Sequence, residues 1–267
     1  MYDLVDSLTF KLRRISPNMW PVFELTYKMF KAEAIDFLDG PWYSSVGLTS
    51  MFVDVDVAEP AEMLPSLDNF VSYGTDVFKA RPDYRQMLVD IYTTSINSDH
   101  LGENDAVNGC KLAEAMLLNL RGHVDDVGCS VPCCYLLPLT WHGLKALPTV
   151  IATAVKTQEA ANSTSLRLAN LEVLINTILY NPGAALHLME SYAPGTARAV
   201  FDKWFEAING EAKLPRVHDK KLSIMALCAL LEMDPAAVPD SVKEGWYNIV
   251  AGALQIFKEL PQAMEGE

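Results

Sequence analysis

The sequence predicts an all-α protein, an α-solenoid built from paired helices. Three observations carry that prediction. Apolar residues recur at intervals of three and four along most of the chain, the spacing of one helical face. Pro, Gly and Asn punctuate these runs at short intervals, as helix ends require. The 267 residues are 50% hydrophobic, enough to bury a sizeable core. Helices of this length bury little alone, and stacked pairs are the economical way to cover their apolar faces. No strict internal repeat is visible, so the solenoid rests on element type and length.

The first strong element follows Ser16-Pro17, a capping residue with proline at the first helical position. Trp20, Phe23, Tyr27 and Phe30 then mark one face. "PDYRQMLVDIYTTSIN" supplies Met87, Ile91 and Tyr92, and "CKLAEAMLLNL" supplies Leu112, Ala115 and Met116. "SLRLANLEVLINTILYNP" carries Leu168, Leu171, Ile175 and Ile178 and stops at Asn181-Pro182. Phe201, Trp204, Phe205 and Ile208 form the next stripe, opposite Asp202, Lys203 and Glu206, with Gly210 past the end. Ile224, Leu227, Cys228 and Leu231 form another. The last runs through Val242, Trp246, Ile249, Val250, Ala253, Phe257 and Leu260. Roughly eight to ten amphipathic helices result, and core packing is the role assigned to their aromatics.

Two stretches break the pattern. Residues 40–61, "GPWYSSVGLTSMFVDVDVAEPA", alternate like a strand between two helical neighbours. Residues 127–145, "VGCSVPCCYLLPLTWHGLK", hold one formal charge and three of the five cysteines. Both are expected to be irregular inserted loops.

Composition narrows the function. Against 34 acidic residues stand 21 basic ones, a net charge of -13. That disfavours nucleic acid and anionic membranes and suits basic protein partners. An odd cysteine count without paired spacing points to a reducing compartment. "MYDLVDSLTFKLRR" has acidic residues ahead of short apolar pieces, unlike a signal peptide. No apolar run approaches the ~20 residues that span a bilayer. "NST" at Asn162 fits a glycosylation sequon, read as chance in a chain with no secretion signal.

Each candidate chemical site in the sequence has a plainer reading. There is no Gly-rich phosphate loop, HExxH or GxSxG. Asp125-Asp126 resembles a magnesium-binding aspartate pair but lacks a further carboxylate on the same helix face; a helix cap fits better. Cys129, Cys133, Cys134 and His142 fall within one segment, but adjacent cysteines rarely ligate one tetrahedral ion, and no CxxC or HxxxH accompanies them. His218 beside Asp219 could be an acid/base pair; "HDKK" before an apolar helix reads as a polar opening turn. The expectation is a non-enzyme with no cofactor, metal site or catalytic residue.

Four stretches carry a family resemblance. "HDKKLSIMALCALLEM" (218–233) resembles the penultimate-helix signature of importin-beta superfamily (karyopherin) nuclear import receptors, in their importin seven and eight branch. "ISPNMWPVFELTYKMF" (15–30) resembles that family's "SP-x-M-W" helix, and "LINTILYNPGAALHLME" (174–190) resembles its "ALYYNP" helix end. "FDKWFEAING" fits the helix between. All four occur in the family's order.

The resemblance implies a superhelix of HEAT-like hairpins, roughly four times this length in the whole family member. It implies import of basic cargo such as ribosomal proteins and histones, contact with phenylalanine-glycine nucleoporins, and shuttling between nucleus and cytoplasm. Ran-GTP is bound in the family mainly by N-terminal repeats. Residues 1–267 are expected to form a single C-terminal HEAT-repeat segment without the N-terminal importin-beta domain, so autonomous Ran-GTP binding is not expected. Direct nucleic-acid and membrane binding are not expected either. The cargo-binding residues are unknown from sequence. An unrelated α-solenoid scaffold is the alternative; it would share the periodicity but not the ordered motifs.

The family pattern also bears on the two insertions. Without 40–61, "IDFLD" runs into "EMLPSLDNF", and Ile35, Leu38, Met63, Leu64, Leu67, Phe70 and Val71 share one stripe. Without 127–145, "RGHVDD" joins "ALPTVIATAVKTQ" at the family's spacing. The insertions are 22 and 19 residues long, and Leu48-Thr49 and Leu139-Thr140 can be encoded by a branch-point sequence. Both are read as translated retained introns, with a genuine cargo-contacting loop as the competing reading.

Overall fold

The computed structural model describes residues 2–36, 60–124, 146–209, 214 and 216–265, and it is all-α over them. The expected loop at 40–61 lies outside the described residues except for Pro60 and Ala61, which open a helix. The expected loop at 127–145, with Cys129, Cys133, Cys134 and His142, lies wholly outside them, as do Asp125 and Asp126. The chain divides into two compact units, Met1–Leu144 and Lys145–Glu267.

The first unit holds α1 (Tyr2–Leu12), α2 (Trp20–Asp36), α3 (Pro60–Tyr73), α4 (Thr75–Ala80), α5 (Pro82–Asn97) and α6 (Glu103–Asn119). Pro17–Met19 forms a 3-10 turn ahead of α2, with Ser16 at its cap position. Helices pack on near neighbours in the chain: α1 on α3, α3 on α6, α5 on α6. The predicted stripe on α2 is realised through Phe23, which is fully buried. Its ring centre lies 5.1 to 6.1 Å from those of Trp20, Phe70, Phe78 and Tyr84. Such aromatic clusters add specific ring contacts to their large apolar burial.

Polar bonds fix which helices meet. Asn69 Nδ2 on α3 donates to Asp6 Oδ1 on α1 at 2.7 Å. On α5, Tyr84 Oη donates to Glu24 on α2, and Tyr27 Oη on α2 donates to Asp90, both at 2.7 Å. The buried Arg85 donates through Nη1 to the carbonyls of Phe78 and Lys79, closing the otherwise open end of α4. α5 and α6 approach closely at Gly109, where an added Cβ would stand 2.8 Å from Ser95 Cβ.

The second unit holds α7 (Ala146–Ala160), α8 (Thr164–Tyr180), α9 (Pro182–Tyr192), α10 (Thr196–Asn209), α11 (Val217–Leu231), α12 (Asp240–Lys243) and α13 (Tyr247–Glu265). α8 lies at its centre, against α7, α9 and α11. Ser163 caps it through a 3.1 Å bond from Leu166 N–H. It ends where the sequence predicts, at Asn181-Pro182. The Asn181 side chain then caps α9 by accepting from Ala184 N–H at 3.1 Å. Every residue from Ala169 to Leu179 is buried, so α8 is enclosed all round rather than along one stripe, and Leu168 is only half-buried. The polar residues enclosed with it make bonds: Asn170 Nδ2 donates to Ala154 O and Gln158 Oε1 on α7.

Thirteen α-helices occur among the described residues, more than the rough eight to ten expected. Short pieces account for part of the difference: Gly74 breaks α3 from α4, and the four-residue α12 precedes α13. Two predicted stripes are rotated. On α11, Leu230 is buried while Cys228 and Leu231 are exposed. On α13, Ile249, Ala253 and Ile256 are buried while Val250 and Phe257 face outward.

Candidate functional site: a cleft on the second unit and an acidic first unit

α10 places Phe201 and Phe205 one turn apart, with ring centres 6.1 Å apart and nearly parallel. α13 meets them through Ile249 and Gly252. At Gly252 an added Cβ would stand 2.8 Å from the Phe205 ring, so glycine permits this approach. The result is a cleft of ≈ 300 Å³, including its open mouth, between α10 and the α12–α13 connection. Phe201, Phe205, Val242 and Ile249 supply its apolar surface. Arg198 and Asp202 stand on the α10 side, joined by a 2.9 Å ion pair, and Asn248 stands on the other. The cleft is shallow, with a mostly buried apolar floor and a few polar groups at its rim.

Glu190 anchors the surroundings. Its carboxylate accepts from Gly195 N–H and Ala197 N–H at the start of α10, and from Ser241 Oγ on α12. Burial pushes this carboxyl up, but the Gly195 N–H, the Ser241 hydroxyl and the Ala197 N–H outweigh it, and its pKa lies below 4.5. Sequence reading assigned Phe201 and Phe205 to the core and Asp202 to the solvent face. It missed the cleft because Gly245, which lines it, and Gly252, which lets α13 close on Phe205, give no periodic signal.

His218 and Asp219 do form an opening turn. Asp219 is buried and accepts from Arg216 N–H and Arg216 Nε, one half of a capping box, while His218 is exposed. Among the described residues no group of three or more His, Cys, Asp or Glu side chains could hold a metal ion. No helix among them is long and apolar enough to cross a membrane.

Charge divides unevenly between the units. The first contains 20 acidic and 10 basic residues, a net charge of -10; the second contains 14 and 11, a net of -3. Asp76, Asp83, Asp99 and Glu103 of the first unit are exposed. Arg81 bonds Asp83 through Nε and Nη2 and holds its carboxyl below the usual carboxylate range.

Helices packed on their chain neighbours define an all-α helical-repeat architecture. The chain is similar to a probable importin-7 homolog of Dictyostelium discoideum, at 26% identity over 95% of this chain and 20% of that protein. It is similar to importin-8 of Danio rerio, at 24% identity over 96% of this chain and 21% of the relative. Importin-8 of Homo sapiens matches at 25% identity over 98% of this chain and 22% of its own length. The chain is thus similar to importins over nearly its whole length and spans about a fifth of the length of these relatives. No family model matches the sequence, and no solved structure matches it.

Proposed function

We propose that this chain is a C-terminal helical-repeat segment of an importin-type nuclear transport receptor, acting by binding rather than by chemistry. Its cargo is basic protein, of the kind represented by ribosomal proteins and histones. The observation that carries this reading is the charge of the first unit, -10 over Met1–Leu144, in a chain similar to importins over nearly its whole length. Acidic surfaces accelerate and orient encounter with basic partners, and salt weakens that attraction. Apolar grooves between its helices are the places proposed for nucleoporin phenylalanines. In this reading the segment does not need Ran-GTP, nucleic acid or a membrane for cargo capture, and the receptor shuttles between nucleus and cytoplasm.

A pull-down of basic ribosomal proteins by the 267-residue chain tests the reading. Capture should be clear at low salt and fall several-fold between about 50 and 300 mM, because exposed charges are screened over that range. Adding Ran-GTP should change nothing. Absence of capture at low salt would count against cargo binding by this segment, and salt-independent capture would count against the acidic surface.

A further inference from the structure

We propose that Arg13, with Lys11, Arg14 and Tyr73, forms a docking point for an acidic stretch of a partner protein, separate from the acidic surface assigned to basic cargo. Arg13 is the one non-glycine residue with a positive φ among the described residues, at 51°. It directly follows α1, and its N–H bonds Thr9 O at 2.8 Å. Glycine is the ordinary residue at such a position, because a side chain is strained in the left-handed region. An arginine held there calls for a reason beyond ending the helix.

Its side chain supplies one. Arg13 Nη1 donates to Tyr73 Oη at 2.8 Å. The guanidinium carbon lies 4.5 Å from the Phe10 ring centre and 5.6 Å from that of Tyr73. Two rings and a hydroxyl thus orient an exposed guanidinium towards α3 rather than back onto the carbonyls of α1. Its Nε and Nη2 groups and the Tyr73 hydroxyl proton have no acceptor among the described residues. Lys11 and Arg14 are exposed and meet no carboxylate among them either. By contrast, Arg81, Arg198, Arg216, Lys220 and Lys243 each pair with an acid. Open donors around an arginine fork already held in place suit a carboxylate.

Local charge agrees. Residues 7–23 hold these three cations and no acid, and residues 69–75 around Tyr73 carry no charge. The acids flanking these stretches are Asp6 on α1, Asp68 on α3 and Asp76 on α4. Asp6 is engaged by Asn69 Nδ2, Asp68 stands with Asp6 and Glu114, and Asp76 shares α4 with Lys79. The rest of the acidic unit acts from further away, and salt at about 0.1 M screens charges beyond about 10 Å.

Fluorescence anisotropy of a fluorescein-labelled hexaglutamate peptide with the full chain, in about 0.1 M salt, tests the proposal. A Kd on the order of 100 µM is expected from a few charge-assisted contacts. Arg13→Gly suits the left-handed backbone, so the chain should unfold at nearly the same temperature, yet binding should weaken at least about fivefold. Arg13→Lys keeps the charge without the fork and should recover only part of the loss. Lys258→Gln removes an exposed cation of the second unit and should change nothing. No binding up to about 1 mM peptide would overturn the proposal. So would binding that survives Arg13→Gly, or an equal loss in Lys258→Gln. Hexathymidylate bound as tightly as hexaglutamate would overturn the choice of an acidic protein segment. None of these outcomes bears on capture of basic proteins, which rests on the acids.

Discussion

Arg216, just ahead of α11, places its guanidinium 2.8 Å from the carboxylate of Glu172 in the middle of α8. The same guanidinium lies 2.8 Å from Asp219. Both carboxylates are almost fully enclosed, at 2% and 0% exposed, whereas the arginine is half exposed. Removing the cation while keeping the acids leaves two buried carboxylates without their shared counter-charge. Arg216→Ala should therefore destabilise the chain by about 1–3 kcal/mol, at the lower side of buried-pair losses because solvent screens the exposed guanidinium. Arg216→Lys should recover only part of this, since an ammonium cannot reproduce the fork. Urea unfolding measures both.

Glu190 gives a pH signature. Its pKa lies below the ordinary 4.5 when folded, so its contribution to stability is fully present above that value and is lost as pH falls through the folded pKa. Glu190→Gln should be less stable by about 1–2 kcal/mol at neutral pH, because an amide is a poorer acceptor for three donors. The stability curves of the two proteins should converge in acid. Curves that stay parallel down to the acid limb would show that the bonds at Gly195, Ala197 and Ser241 do not depend on the charge.

Gly109→Ala sets two effects against each other. Alanine favours a helix interior by about 1 kcal/mol over glycine. The new Cβ, however, would stand 2.8 Å from Ser95 Cβ, an atom fixed to the α5 backbone. Overpacking of this kind costs about 1–3 kcal/mol. Net destabilisation is expected, and Gly109→Ala combined with Ser95→Gly should recover much of it. Thermal unfolding of the single and double variants decides the sign.

Trp204 Nε1 donates to Ser223 Oγ at 3.0 Å, and both residues are fully buried. Trp204→Phe and Ser223→Ala should each destabilise, and the double variant should lose less than their sum. A coupling of about 0.5–1.5 kcal/mol is expected for one buried neutral hydrogen bond. Strict additivity would mean that the bond contributes nothing beyond packing.

Much of the fold was legible because each helix signals itself locally. Phe23 and Phe30 on α2, Ile91 and Tyr92 on α5, and Trp204 and Ile208 on α10 are buried where their spacing predicts. α11 and α13 read less well, for different reasons. On α11, Asp219, Lys220 and Ser223 are drawn inward by bonds to Arg216, Glu259 and Trp204, so polar residues occupy the buried face. A periodicity argument that counts apolar positions turns such a helix the wrong way. α13 is apolar on two opposite faces, so spacing alone does not choose between them. The choice is made by Gly252 against Phe205 and by the Lys220–Glu259 pair at 3.1 Å. Neither is visible until the partners are in place. The cleft was hidden for the same reason, since it depends on how α10 and α13 meet at Phe205 and Gly252. The charge imbalance between the units needed only a division point, and the structure supplies it.

The polar ties between helices all close over modest stretches of chain: Asn170 to Ala154 over 16 residues, Trp204 to Ser223 over 19, Arg216 to Glu172 over 44 and Asn69 to Asp6 over 63. Contacts between near neighbours are closed early, because little chain entropy is lost in forming each loop. During synthesis a helix therefore finds its partners soon after it emerges, and α7 with α8 can settle before α13 has been made. Folding of this chain should keep pace with translation, limiting the time that its long apolar helices spend without cover.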